Sequence, residues 1–80
     1  MLSLNYDKKF DVLYISIGEP KPSYGDESID GIVILHSIAN DDVTGVTIFD
    51  FKKRLNENSL KDLNLPINID FGNDVTPFIN

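Results

Sequence analysis

Short runs of β-branched and aromatic residues, each cut off by glycine, proline, asparagine or aspartate, constrain this chain more than any other feature of it. Leu2-Ser3-Leu4-Asn5-Tyr6 alternates apolar with polar, the two-residue period of a strand with one face in a core. Asp7-Lys8-Lys9-Phe10-Asp11 is polar and turn-prone. Val12-Leu13-Tyr14-Ile15-Ser16-Ile17 returns as the second arm of a hairpin, with Leu13, Ile15 and Ile17 on one face and Val12, Tyr14 and Ser16 on the other. Gly18-Glu19-Pro20-Lys21-Pro22-Ser23 holds two prolines and reads as a loop. Tyr24 to Ser28 reads as a short edge segment leading into Ile29-Asp30-Gly31-Ile32-Val33-Ile34-Leu35-His36. The four consecutive aliphatics there predict a strand buried on both faces, at the sheet's centre. Asn40-Asp41-Asp42 makes a turn, and Val43 to Phe51 returns antiparallel with a bulge at Gly45.

Beyond that strand a short helical turn is expected over Phe51 to Leu55, and a second from Ser59 as N-cap through Leu63, ended by Pro66. Leu65-Pro66-Ile67-Asn68-Ile69-Asp70-Phe71 then alternates strictly. Leu65, Ile67, Ile69 and Phe71 share one side, a pattern that requires an apolar surface to cover, and Pro66 suits a sheet edge or a docked arm. The expected fold is therefore α+β and mainly β. Residues 1 to 55 build a small antiparallel sheet of four to five strands with a short helix, and residues 56 to 80 form an extended C-terminal arm packed on the same domain or on a partner subunit.

Eighty residues suffice for one domain with a small core, and cores of that size commonly need disulfides, metals or self-association to hold them. With no cysteine, thiol chemistry and cysteine-ligated zinc are excluded, and self-association is the expected supplement. The N-terminal stretch carries Asp7, Lys8 and Lys9 and lacks the apolar run of a signal peptide, and no run is long enough to span a bilayer. The chain reads as cytoplasmic, with no membrane partner. With a net charge of −6 and one basic cluster, Lys52-Lys53-Arg54, the chain lacks the footprint of a nucleic-acid binder; its surplus acid more often only confers solubility, and it also suits a basic protein partner.

Candidate chemistry is sparse. Nucleophilic catalysis needs a base, and the sole histidine, His36, sits beside Ser37, whose side chain on a strand points to the opposite face. The alternative polar site places His36 with Asp11 and Asp50 in a cleft at the sheet end, as in a small hydrolase or ligand-binding protein. Asp7, Asp11, Asp41, Asp42 and Asp50 near strand ends lack the spacing of a calcium loop, and one histidine is too few for a transition-metal centre, so neither metal nor cofactor is expected. The glycines are scattered singly and build no phosphate cradle. Tyr6, Tyr14 and Tyr24 are candidates for an aromatic patch, but tyrosines in such strands more often fill the rim of a small core, and that is the favoured reading.

Tyr6-Asp7, Asp11, Leu13-Tyr14-Ile15, Asp30-Gly31-Ile32-Val33, Asp41/Asp42, Gly45-Val46-Thr47-Ile48 and Asp50 together resemble the pattern of domain of unknown function 2283, a family of small, mostly bacterial proteins. The resemblance covers residues 4 to 55. It implies a compact antiparallel sheet with a short helix and no established activity, and it admits an antitoxin-like role. Thr47 stands where that pattern has an acidic residue, and Phe51 where it has a small one. The reading favoured by the residues is a non-enzymatic, homodimeric interaction module that uses Leu65, Ile67, Ile69 and Phe71.

Overall fold

The structure, a computed structural model, describes residues 2–57. Five strands and one helix follow in order: β1 (Leu2–Asp7), β2 (Val12–Ile17), β3 (Ser23–Ile29), β4 (Ile32–Ser37), β5 (Val43–Phe49) and α1 (Phe51–Asn56). The strands form one sheet in the order β1-β2-β5-β4-β3, every neighbouring pair antiparallel. The mainly β fold expected from alternation is the fold adopted. The second helical turn at Ser59 to Leu63 and the alternating Leu65 to Phe71 lie outside the described residues.

Three expectations are corrected. Ile29 to His36 is not one strand, because Asp30-Gly31 turns the chain so that Ile29 faces Ile32. Gly31 there has φ 82°, a conformation that costs a residue without Cβ little. An Asp-Gly pair between apolar residues is a strong hairpin signal, and here it overrides the aliphatic run. The central strand is β5, not β4, since β5 joins the β1–β2 hairpin to the β3–β4 hairpin. Nor is β4 buried equally on both faces: Ile32 and Ile34 are in the core, whereas Val33 and Leu35 are half-buried.

The registers explain the core. Leu13, Ile48 and Ile32 form one apolar row across β2, β5 and β4, and Ile15, Val46 and Ile34 form the next. Tyr6 and Leu4 of β1 extend the rows opposite Leu13 and Ile15. Phe51, the first residue of α1, closes this face with a fully buried ring, which contributes roughly 1.5–3 kcal/mol by leaving water. The bulge expected near Gly45 is present. Leu35 faces Gly45 but His36 faces Val43, leaving Thr44 extra on β5. A Cβ on Gly45 would lie 2.5 Å from the Ile15 carbonyl oxygen, so only glycine lets β5 approach β2 here. No helix among the described residues is long and apolar enough to cross a membrane.

Candidate functional site

The polar side chains gather at the two ends of the sheet. At one end, Asp11 and Asp50 flank the paired residues Val12 and Phe49, and both adopt left-handed backbone, φ 56° and 53°. Aspartate tolerates that region better than most residues because its short side chain bonds locally. Asp11 Oδ1 accepts hydrogen bonds from the Tyr6 hydroxyl at 2.6 Å and from the Lys52 backbone N–H at 2.8 Å, and the Asp11 carbonyl accepts from the Phe51 N–H at 3.1 Å. The N-cap residue of α1, Asp50, makes no side-chain cap of its own. Asp11 supplies the cap instead, from the end of the neighbouring strand. The bond to Asp11 pushes the Tyr6 phenol up to about 12, with burial and the charges of Asp11 and Asp7 adding to it.

At the other end, Ser37 to Asp42 turn tightly, held by Ser37 N–H to the Asp42 carbonyl and Asp41 N–H to the Ser37 carbonyl, both 2.8 Å. Asp41 takes φ 63° at the turn's crest. The Tyr24 hydroxyl donates to Asp41 Oδ1 at 2.7 Å, and the Tyr24 ring stacks on His36 at 5.4 Å between centroids. His36 Nδ1 lies 3.1 Å from the Asp41 carbonyl oxygen, which only accepts, so Nδ1 carries a proton. The bond to Asp41 raises the Tyr24 phenol above its ordinary value, with lesser contributions from burial and from the charges of Asp41 and Asp26.

The structure brings Asp11 and Asp50 to one corner but does not bring His36 to them. His36 faces Val43 at the start of β5, whereas Asp50 follows Phe49 at its end, a separation of roughly 20 Å at strand rise. Nor do the tyrosines form one patch. Tyr6 lies over the core, Tyr14 points to the opposite face, and Tyr24 stands on the β3 edge. Among the described residues no three of His, Asp and Glu are grouped closely enough to hold a metal ion. Leu65, Ile67, Ile69 and Phe71 lie outside the described residues.

Sequence reasoning missed Arg54, which fastens α1 to the sheet. Its Nη2 donates to the Asp30 carbonyl at 2.7 Å and its Nε to the Phe49 carbonyl at 3.0 Å. The basic cluster Lys52-Lys53-Arg54 thus has one member spent on holding the helix down. Helical periodicity over one and a half turns is too short to signal this.

The second face of the sheet is the other feature. Val12, Tyr14, Phe49, Val33 and Leu35 project from it, spanning β2, β5 and β4, with Thr47 and Gly45 between them. Tyr14 and Phe49 are each 41% exposed. Phe51 places α1 on the first face, so no described helix or strand lies over the second. No family model matches the chain, and neither a curated protein nor a solved structure gives a significant match; the resemblance over residues 4 to 55 is carried by those residues alone.

Proposed function

We propose that this chain is a non-enzymatic protein-interaction module that works as a homodimer. The observation that carries the reading is a cluster of apolar side chains on the second face of the sheet, away from the core that Phe51 closes. Antiparallel sheets of single domains commonly turn a polar face to water, and a contiguous apolar surface marks a place of contact. Here Tyr14 and Phe49 are exposed and Val33 and Leu35 half-buried on the second face, around the buried Val12. The C-terminal arm offers matching chemistry in Leu65, Ile67, Ile69 and Phe71, and in this reading it lies against that face. Three of the carboxylates at the strand ends have structural employment. Asp11 caps α1, Asp41 anchors Tyr24, and Asp7 holds the Lys9 and Phe10 N–H groups.

The test is sedimentation of the full chain beside a chain lacking residues 64 to 80, with thermal unfolding and binding of an apolar dye read on both. The full chain is expected to sediment at twice its 9.0 kDa mass. The shortened chain is expected to unfold at lower temperature and to bind the dye. A full chain that stays monomeric at every concentration, or a shortened chain as stable and as dye-free as the full one, would remove the reading.

A further inference from the structure

We propose that β1 is the seam of the dimer: two copies join edge to edge, β1 antiparallel to β1 with Leu4 on the twofold axis, so that two five-stranded sheets become one. The proposal rests on the homodimer reading and adds the surface and its register. Among the described residues the sheet, in the order β1-β2-β5-β4-β3, has two edges, and they are built differently. Natural edges are blunted by charge, bulges or proline, because a bare row of N–H and C=O groups pairs with any strand offered. The β3 edge is blunted. It carries Asp26 and Glu27 side by side, and its register slips between Asp26 and Ile29. The β1 edge is not. Its register runs unbroken from Leu2 opposite Ile17 to Asp7 opposite Val12, and it contains no proline. Its one charged residue, Asp7, stands at the end, its Oδ1 accepting the Lys9 and Phe10 N–H groups at 2.9 and 3.2 Å.

The occupant that fits this edge is a second β1. Centring the pair on Leu4 sets Leu4 against the second copy's Leu4, Leu2 against its Tyr6, and Ser3 against its Asn5. Apolar side chains then meet on the core face and polar ones on the other, as the two-residue period demands. No like charges stand opposite one another, whereas pairing β3 with itself would crowd Asp26 and Glu27. The same register completes the core. Leu4 and Tyr6 pack against the buried cluster as its half-covered border, and Leu2 beyond them is exposed. A second β1 would close that border on both copies at once, which is what an isologous contact requires.

The absence of cysteine makes the register directly readable. Ser3 and Asn5 are both exposed, so Ser3→Cys and Asn5→Cys disturb the fold little. The double variant places each new thiol opposite its complement in the second copy, within the Cα separation of about 4.4–6.8 Å that a disulfide spans. Each single variant places like thiols on the diagonal, about 7–8 Å apart and out of reach. Under mild oxidation the double variant is expected to run as a covalent dimer on a non-reducing gel, and the single variants as monomers. A second pair, Ser3→Lys with Asn5→Lys, sets like charges opposite across the seam while lowering the global repulsion between chains. It is expected to weaken the dimer about tenfold and to leave the monomer's thermal unfolding unchanged. A dimer that cross-links equally in the single variants, fails to cross-link in the double one, or ignores the lysines overturns the seam and leaves the homodimer standing. A wild-type chain that is monomeric throughout overturns both.

Discussion

Three aspartates in left-handed backbone, Asp11, Asp41 and Asp50, are the residues on which the turns of this fold depend. The sequence marks them as carboxylates near strand ends and so as candidates for chemistry. It gives no sign that Asp11 would be bonded to Tyr6 across a hairpin and to the Lys52 N–H, 41 positions away. Such partners are fixed by register, which a single sequence specifies only weakly. The Tyr6 bond has a pH signature. Below the ordinary tyrosine value of 10, folded and unfolded phenols are both protonated and the bond contributes in full. Between 10 and about 12 the unfolded chain gives up its proton while the folded chain keeps it, so stability falls as pH rises through that window. Tyr6→Phe is expected to cost about 1–2 kcal/mol at pH 7 and to lose that alkaline slope, because the phenol and its bond to a carboxylate are gone. Urea midpoints of the two proteins compared from neutral pH to pH 11.5 check it, since the lysines titrate alike in both. Parallel curves over the whole range would show that the bond carries no such share.

At the scale of elements, alternation located β1, because one buried face imposes a period of two, and β-branched and aromatic runs bounded by turn residues located β2 and β5. It failed at Ile29 to Ile34, where a run of aliphatics hid a turn that Asp30-Gly31 announces through backbone freedom rather than through hydropathy. It also missed how α1 is held. Asp11 caps its start, Arg54 ties its last turn to Asp30 and Phe49, and Phe51 seals it to the core, none of which a six-residue segment can reveal by itself. The bulge at Gly45 was legible, and its necessity is now specific. Gly45→Ala sets a methyl carbon against the Ile15 carbonyl, a backbone atom that cannot swing aside. The cost is expected to be about 2 kcal/mol or more, roughly 10 °C in melting temperature for a domain of this size. Differential scanning fluorimetry reads it, and an unshifted transition would show that β5 and β2 have room to part.

At the scale of the whole molecule, charge opposes association. Each chain carries −6, so two copies meet against their own field, and added salt shortens the reach of that field from about 30 Å at 0.01 M to about 8 Å at 0.15 M. The dimer is expected to tighten about tenfold over that range in sedimentation equilibrium. A dimer that loosens with salt would point to a contact built on ion pairs instead of strand pairing and apolar surface. The strand order was beyond reading from the sequence, because which hairpin lies beside which depends on pairing between β2 and β5, far apart in the chain. That pairing also sets a schedule. The ribosome releases β1 and β2 first, and at about 5–20 residues per second the stretch from Ile17 to Phe49 takes roughly 2–6 s to emerge. For those seconds the newborn hairpin has two bare edges, and the strand that will close the inner one is still being translated.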